Sequence, residues 1–118
     1  GYCAITEQNI ASWMAAFCTG APGNVYINNR MSARASFDRY FADAMRHEVG
    51  HYLIFRRCGT TEPASIGSQA NAESTASSYA VLYLGANANT LNRATDARYH
   101  MDELSDQAAA RIHAGQCE

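Results

Sequence analysis

The sequence predicts a single α+β domain, predominantly helical, with at most a small sheet. Three observations carry that reading. Long stretches place apolar residues at helical spacing. Capping residues and glycine stops bracket those stretches. Only Val25, Tyr26 and Ile27, after the Ala-Pro-Gly-Asn turn signal at 21–24, form a strand candidate. Residues 1–118 fit one domain, and a chain of this size buries roughly two thirds of its unfolded surface, enough for a modest core.

Residues 6–17 read as a first helix, with Thr6 as N-cap, Gly20 just beyond the end, and Ile10, Trp13, Met14 and Phe17 as its apolar stripe. Ser36 is placed to cap a long helix over 37–57, stopped by Cys58-Gly59. Phe37, Tyr40, Phe41, Ala44, Met45, Glu48, Tyr52 and Phe55 trace its broad, mostly buried face. Gly50 costs this helix about 1 kcal/mol relative to alanine, so packing must compensate. A loop over 60–67 contains Pro63, and a third helix over 68–84 stops at Gly85. Residues 87–95 are loop-like, and a last helix begins at Met101 or Asp102 and runs to His113, ahead of Gly115.

Composition narrows the function classes. A hydrophobic fraction of 47% with 17% charged residues belongs to a folded globular protein. The net charge of -2 offers no basic surplus for a phosphate backbone, which argues against nucleic acid as a partner. No stretch approaches the roughly 20 apolar residues that span a bilayer, so no membrane partner is expected. The start at Gly1, without a signal-peptide pattern, reads as a processed or trimmed chain.

Cys3, Cys18, Cys58 and Cys117 are isolated, with no Cys-x-x-Cys pair that would mark a thiolate zinc site or a redox pair. An even number in a short chain points to two disulfides and an oxidising compartment, secreted, extracellular or periplasmic. Four cysteines allow three pairings. Cys3–Cys18 with Cys58–Cys117 is preferred, because the second bond would tie the chain end to the end of the longest helix.

The segment from Arg46 to Tyr52 reads Arg-His-Glu-Val-Gly-His-Tyr and contains the His-Glu-x-x-His pattern inside a predicted helix. A spacing of four puts the His47 and His51 imidazoles on one face, one turn apart, where two nitrogens can converge on one ion. Imidazole nitrogen suits Zn²⁺. Glu48 is rotated about 100° from His47, so it lies beside the metal as a general base for the attacking water.

A catalytic zinc site takes three protein ligands and an open position. A third histidine after a glycine is excluded, since Ile54 and Arg57 stand where those residues should be. Glu73, Asp96, His100, Asp102, Glu103, Asp106 and His113 remain. Glu73 is favoured: it comes 22 residues after His51 on the next predicted helix, and Ala70, Ala76, Ser77 and Ala80 share its face. Small residues let helix axes approach toward the short end of the usual 8–10 Å range, which a short carboxylate needs to reach a neighbouring helix's metal.

His47-Glu48-Val49-Gly50-His51, followed by Asn71-Ala72-Glu73-Ser74-Thr75-Ala76-Ser77, resembles the gluzincin clan of zinc metallopeptidases. The short Glu-x-x-Ala segment also resembles compact gluzincins, including the minigluzincins and ImmA/IrrE-like peptidases. The resemblance spans about 40 residues, from the motif helix through the glutamate helix. It implies a minimal zincin-like domain with an active-site helix, a glutamate helix and one catalytic Zn²⁺ held by His47, His51 and Glu73. It further implies peptide-bond hydrolysis, most simply as an endopeptidase acting as a monomer on a peptide or protein substrate, with Glu48 as the base. Thermolysin-like members carry an aspartate four residues after the ligand glutamate to orient the first histidine, and here that residue is Ser77. The expectation is that another acceptor fixes His47: Asn71, an acid between 96 and 102, or a backbone carbonyl. Gluzincins often add a downstream tyrosine or histidine as electrophile. Tyr83, Tyr99 and His100 are available, with His100 taken as the candidate. His113, near a helix end, is better explained by the helix dipole. The alternative reading is a non-catalytic zinc- or peptide-binding module on the same scaffold; an accidental motif in a secreted interaction protein is the third.

Overall fold

The computed structural model describes residues 15–17, 25–27, 39–93 and 96–118. Two strands, β1 (Ala15–Phe17) and β2 (Val25–Ile27), pair antiparallel with Ala15 opposite Ile27 and Phe17 opposite Val25. Among the described residues four α-helices follow: α1 (Arg39–Cys58), α2 (Ala72–Tyr83), the single-turn α3 (Ala88–Leu91) and α4 (Glu103–His113). Two 3-10 turns, Ala64–Ile66 and Ala97–Tyr99, lie between them. The fold is thus predominantly helical with a small sheet, the class expected from the sequence.

Several details of the expected layout change, among them a single helical turn, Ala88–Leu91, inside the segment expected to be loop. Ala15–Phe17 are not the end of a helix but a strand, because Val25–Ile27 pairs with them. A short apolar run suits either element, and pairing across the chain decides between them. The rest of the expected 6–17 helix, the Ser36 cap and the Cys3–Cys18 bond lie outside the described residues. In α1 the buried stripe is Asp43, His47, Gly50, His51 and Ile54, the face that carries the motif. Ala44, Met45, Glu48, Tyr52 and Phe55, expected to be the core face, are only half-buried, because α2 packs on the stripe itself, with Ser77 against His47, Ala76 against Gly50 and Glu73 against His51.

Helix α2 is the centre of the molecule. Ser74, Thr75, Ala76, Ser77, Ser78, Tyr79 and Ala80 are all buried, so this helix is covered around its circumference. It packs against α1 and α4, with α3 and the Ala97–Tyr99 turn also against it. Side chains this small let neighbours approach from several sides. The tightest approach is at Gly50, where an added methyl would lie 2.7 Å from the Ala76 carbonyl oxygen. The missing side chain that weakens α1 locally is therefore what seats α2 against it. Ile54, Ile66, Ala76, Tyr79, Ala108, Ala109 and Ile112 form the core between α1, α2 and α4.

Local chemistry sets the helix ends. Asn71 caps α2 in a reciprocal box with Ser74, which starts the helix four residues later than the apolar pattern alone suggests. Asp102 caps α4 in the same way with Ser105. Helix α1 ends with Arg56 and Arg57 in its last turn, favourable to the dipole, and with Gly59 in the left-handed region at φ 73°. Beyond α4 the chain returns to α1: Cys117 is bonded to Cys58, Ser65 N–H donates to the Cys117 carbonyl, and Arg111 donates to the Ser65 carbonyl.

Candidate metal centre

Helix geometry brings the motif together. One turn of α1 separates His47 from His51, and their rings meet edge to face at 4.7 Å between centroids. Both imidazoles are buried. One nitrogen of each and a Glu48 carboxylate oxygen lie within 4.8 Å of one another, a group that could hold a metal ion. Glu48 Oε1 stands 3.9 Å from His47 Nε2.

Glu73 arrives from the first turn of α2, across the close contact at Gly50. Its Oε1 lies 2.8 Å from His51 Nε2 and its Oε2 lies 3.7 Å from His47 Nε2. The carboxylate therefore faces both Nε2 atoms, while its side chain keeps 28% of its surface exposed, so the centre opens toward solvent. The two histidines respond differently. Burial, reinforced by the neighbouring His51, holds His47 below the ordinary imidazole value despite Glu73. Burial also pulls His51 down, but its hydrogen bond to Glu73 and the charges of Glu73 and Glu48 outweigh it and raise the group. Burial pushes the Glu73 carboxyl up, but the two imidazoles overcome this and hold it well below the usual carboxylate range.

The donor set fits a cation. His47 Nε2 is buried with no hydrogen-bond partner among the described residues, and the same holds for His51 Nδ1. A buried polar nitrogen left unpaired costs about 1–3 kcal/mol, and here one sits beside carboxylates that would share an ion with it. The other nitrogen of His47 is held: Nδ1 lies 2.9 Å from Ser77 Oγ, in a fully buried contact. Ser77 was expected to leave His47 without its orienting partner. Instead, the hydroxyl occupies that place.

The remaining sequence candidates have other positions. Asn71 and Asp102 are helix caps, and Asp96 caps the Ala97–Tyr99 turn while accepting three hydrogen bonds from the Arg98 guanidinium. Glu103 and Asp106 are exposed in the first turn of α4. His113 is at the far end of α4, accepting or donating through Nδ1 to the Tyr79 hydroxyl at 2.8 Å and stacked on Tyr83 at 3.8 Å. Tyr83 thus belongs to that cluster and not to the metal centre. His100 is the exposed residue that ends the Ala97–Tyr99 turn.

The tyrosine before it is the one the fold brings in. The Tyr99 ring lies 5.2 Å from the His47 ring. Burial, then the charge of Glu73 and a hydrogen bond to it, with Glu48 adding, push the Tyr99 phenol well above its ordinary value. The phenol stays protonated and can donate. Nothing local in the sequence separates Tyr99 from His100; the choice is made by the turn that Asp96 caps.

No family model matches this chain, and no curated protein or solved structure matches it.

Proposed function

We propose that this chain is a small zinc metallopeptidase of gluzincin type that hydrolyses peptide bonds. The observation that carries the proposal is the convergence of His47 Nε2 and His51 Nε2 on the Glu73 carboxylate, with Glu48 alongside. Donor atoms sharing a small tetrahedral cation lie roughly 3.3 Å apart, given bonds of about 2.0–2.1 Å. The 2.8 and 3.7 Å separations bracket that value. His47, His51 and Glu73 are the ligands in this reading, and two imidazoles with one carboxylate suit Zn²⁺.

When bound, the ion supplies Lewis acidity that acidifies a water and polarises a carbonyl. The rest of the chemistry belongs to the chain. Glu48, the residue after His47 on the same helix, takes a proton from the attacking water and passes it to the leaving amine. Tyr99 donates its phenolic proton as a hydrogen bond to the oxygen that becomes negative as the carbonyl is attacked. The substrate is a peptide or protein segment that enters on the solvent side of Glu73, and the enzyme acts as a monomer. The Cys58–Cys117 bond supports work in an oxidising compartment, outside the cell or in a periplasm. Among the described residues no helix is long and apolar enough to cross a membrane.

Zinc content and cleavage of a mixed peptide library, measured together on three proteins, test the proposal. The unaltered protein binds one zinc and cleaves. Glu48→Gln keeps the zinc and loses cleavage by roughly 10²–10⁴-fold, the usual weight of a general base. Glu73→Gln loses both. A protein that binds no zinc overturns the reading. A zinc-loaded protein that cleaves nothing reduces it to a metal-binding module.

A further inference from the structure

We infer that Ser77 is the positioning residue of the metal centre, its hydroxyl accepting the His47 Nδ1 proton so that the Nε2 lone pair faces the cation. The inference rests on the metal-binding reading and extends it to a residue on the helix that also supplies Glu73. Three observations lead to it. First, the contact is short and sealed: His47 Nδ1 and Ser77 Oγ are 2.9 Å apart, and Ser77 is fully buried, so water cannot substitute for the hydroxyl. Second, the geometry leaves Nε2 the nitrogen that faces the carboxylates of Glu73 and Glu48, at 3.7 and 3.9 Å. A neutral imidazole carries one proton, and a proton on Nδ1 is the arrangement that frees Nε2 to ligate. Third, Ser77 and Glu73 lie one turn apart on α2, so a single rigid helix fixes both the third ligand and the orientation of the first.

A hydroxyl differs from a carboxylate in this place. It can donate as well as accept, so it imposes no tautomer by itself. Without a metal, the carboxylates beside Nε2 favour the proton there, with the Ser77 hydroxyl donating to Nδ1. With a cation on Nε2, the proton moves to Nδ1 and the hydroxyl turns to accept it. Ser77 satisfies the buried nitrogen in both states. It also adds no negative charge, so a divalent cation held by two neutral imidazoles and Glu73 keeps a net positive charge.

Ser78 provides the internal control. It is the next residue on α2, equally buried, and its hydroxyl is 2.7 Å from Ser105 Oγ on α4, away from the centre. The experiment measures zinc affinity by chelator competition in the unaltered protein, Ser77→Ala and Ser78→Ala, with ¹⁵N shifts of the His47 ring recorded with and without zinc. Loss of a hydrogen-bond partner behind a ligating histidine typically weakens metal binding 10–100-fold. We expect that loss in Ser77→Ala and unchanged affinity in Ser78→Ala. The His47 ring should show its proton on Nε2 in the metal-free protein and on Nδ1 in the zinc-bound protein. Equal weakening in both variants would reduce Ser77 to a packing residue and overturn the inference, as would a Ser77→Ala protein that binds zinc as tightly as the parent. If the unaltered protein binds no zinc, the metallopeptidase reading itself has failed, an outcome separate from either of these.

Discussion

Helix α2 carries a histidine contact at each end, and the two contacts are built differently. At its N-terminal half, Ser77 holds one nitrogen of His47, while the other nitrogen is buried, unpaired among the described residues, and faced by two carboxylates. At its C-terminal half, Tyr79 holds His113, Tyr83 stacks on the same ring, and the Arg57 guanidinium lies 5.9 Å over the Tyr79 ring. Among the described residues no carboxylate forms an ion pair with His113. Aromatic surface, one hydrogen bond and the nearby Cys58–Cys117 bond make that end a clasp between α1, α2 and α4. The contrast shows what separates a histidine that could hold a metal ion from a structural one. Both are hydrogen-bonded through Nδ1, and the difference lies in what surrounds the second nitrogen.

If the two ends are independent in this way, the clasp can be opened without emptying the metal centre. The largest effect expected is from removing the disulfide by Cys58→Ser with Cys117→Ser. The bond closes a loop of 59 residues in sequence separation. Releasing that loop in the unfolded chain should cost about 4 kcal/mol of stability. Urea unfolding should show that loss, while zinc affinity measured well below the transition stays within about twofold of the parent. Zinc affinity that collapses along with stability would show that the two ends are one unit.

How much of this was legible in the sequence follows the same division. The end of α1 was readable, because the Cys58-Gly59 stop is a local signal, and the Cys58–Cys117 pairing was preferred because it ties the chain end to that helix end. His47, Glu48 and His51 were readable because helical periodicity alone puts them on one side of α1. Glu73 required one further step, the run of small residues on its face. Ser77 was misread, since its value depends on the register between two helices, which the spacing within either helix does not contain. Tyr99 was named beside His100 but not preferred: the Tyr99 ring lies 5.2 Å from the His47 ring while His100 is exposed, a difference between neighbours that only the fold makes. The strand at Ala15–Phe17 was read as helix because its partner lies eight to twelve residues away along the chain. Nonlocal pairing leaves no periodic trace in three residues.

Gly50 is where the two ends meet, and it gives the second test. Replacing it by alanine improves helix propensity by about 1 kcal/mol. The added methyl, however, meets the Ala76 carbonyl oxygen at 2.7 Å, and a backbone atom cannot swing aside as a side chain would. Overpacking of this kind costs about 1–3 kcal/mol, so Gly50→Ala should be less stable than the parent. It should also bind zinc more weakly, because pushing α2 away from α1 carries Glu73 away from His51. A more stable Gly50→Ala protein with parental zinc affinity would mean that the helices tolerate separation, and that the centre does not depend on their close approach.

The smallest effect is expected at the clasp's own hydrogen bond. Tyr79→Phe removes the hydroxyl that meets His113 Nδ1 and leaves the ring in the core. His113 is exposed, so water can take the vacated position, and the loss should be no more than about 0.5–1.5 kcal/mol, the usual net value of one hydrogen bond. Zinc affinity should not change. The comparison with Ser77→Ala then becomes quantitative, since each variant deletes one hydroxyl bonded to one histidine Nδ1 on the same helix. Deletion at the clasp should register only as a shift in the urea midpoint, and deletion at the metal centre chiefly as a loss of zinc affinity. If Tyr79→Phe instead weakened zinc binding as much as Ser77→Ala, α2 would be transmitting strain along its length, and the environment of the second nitrogen would no longer explain the difference between the two histidines.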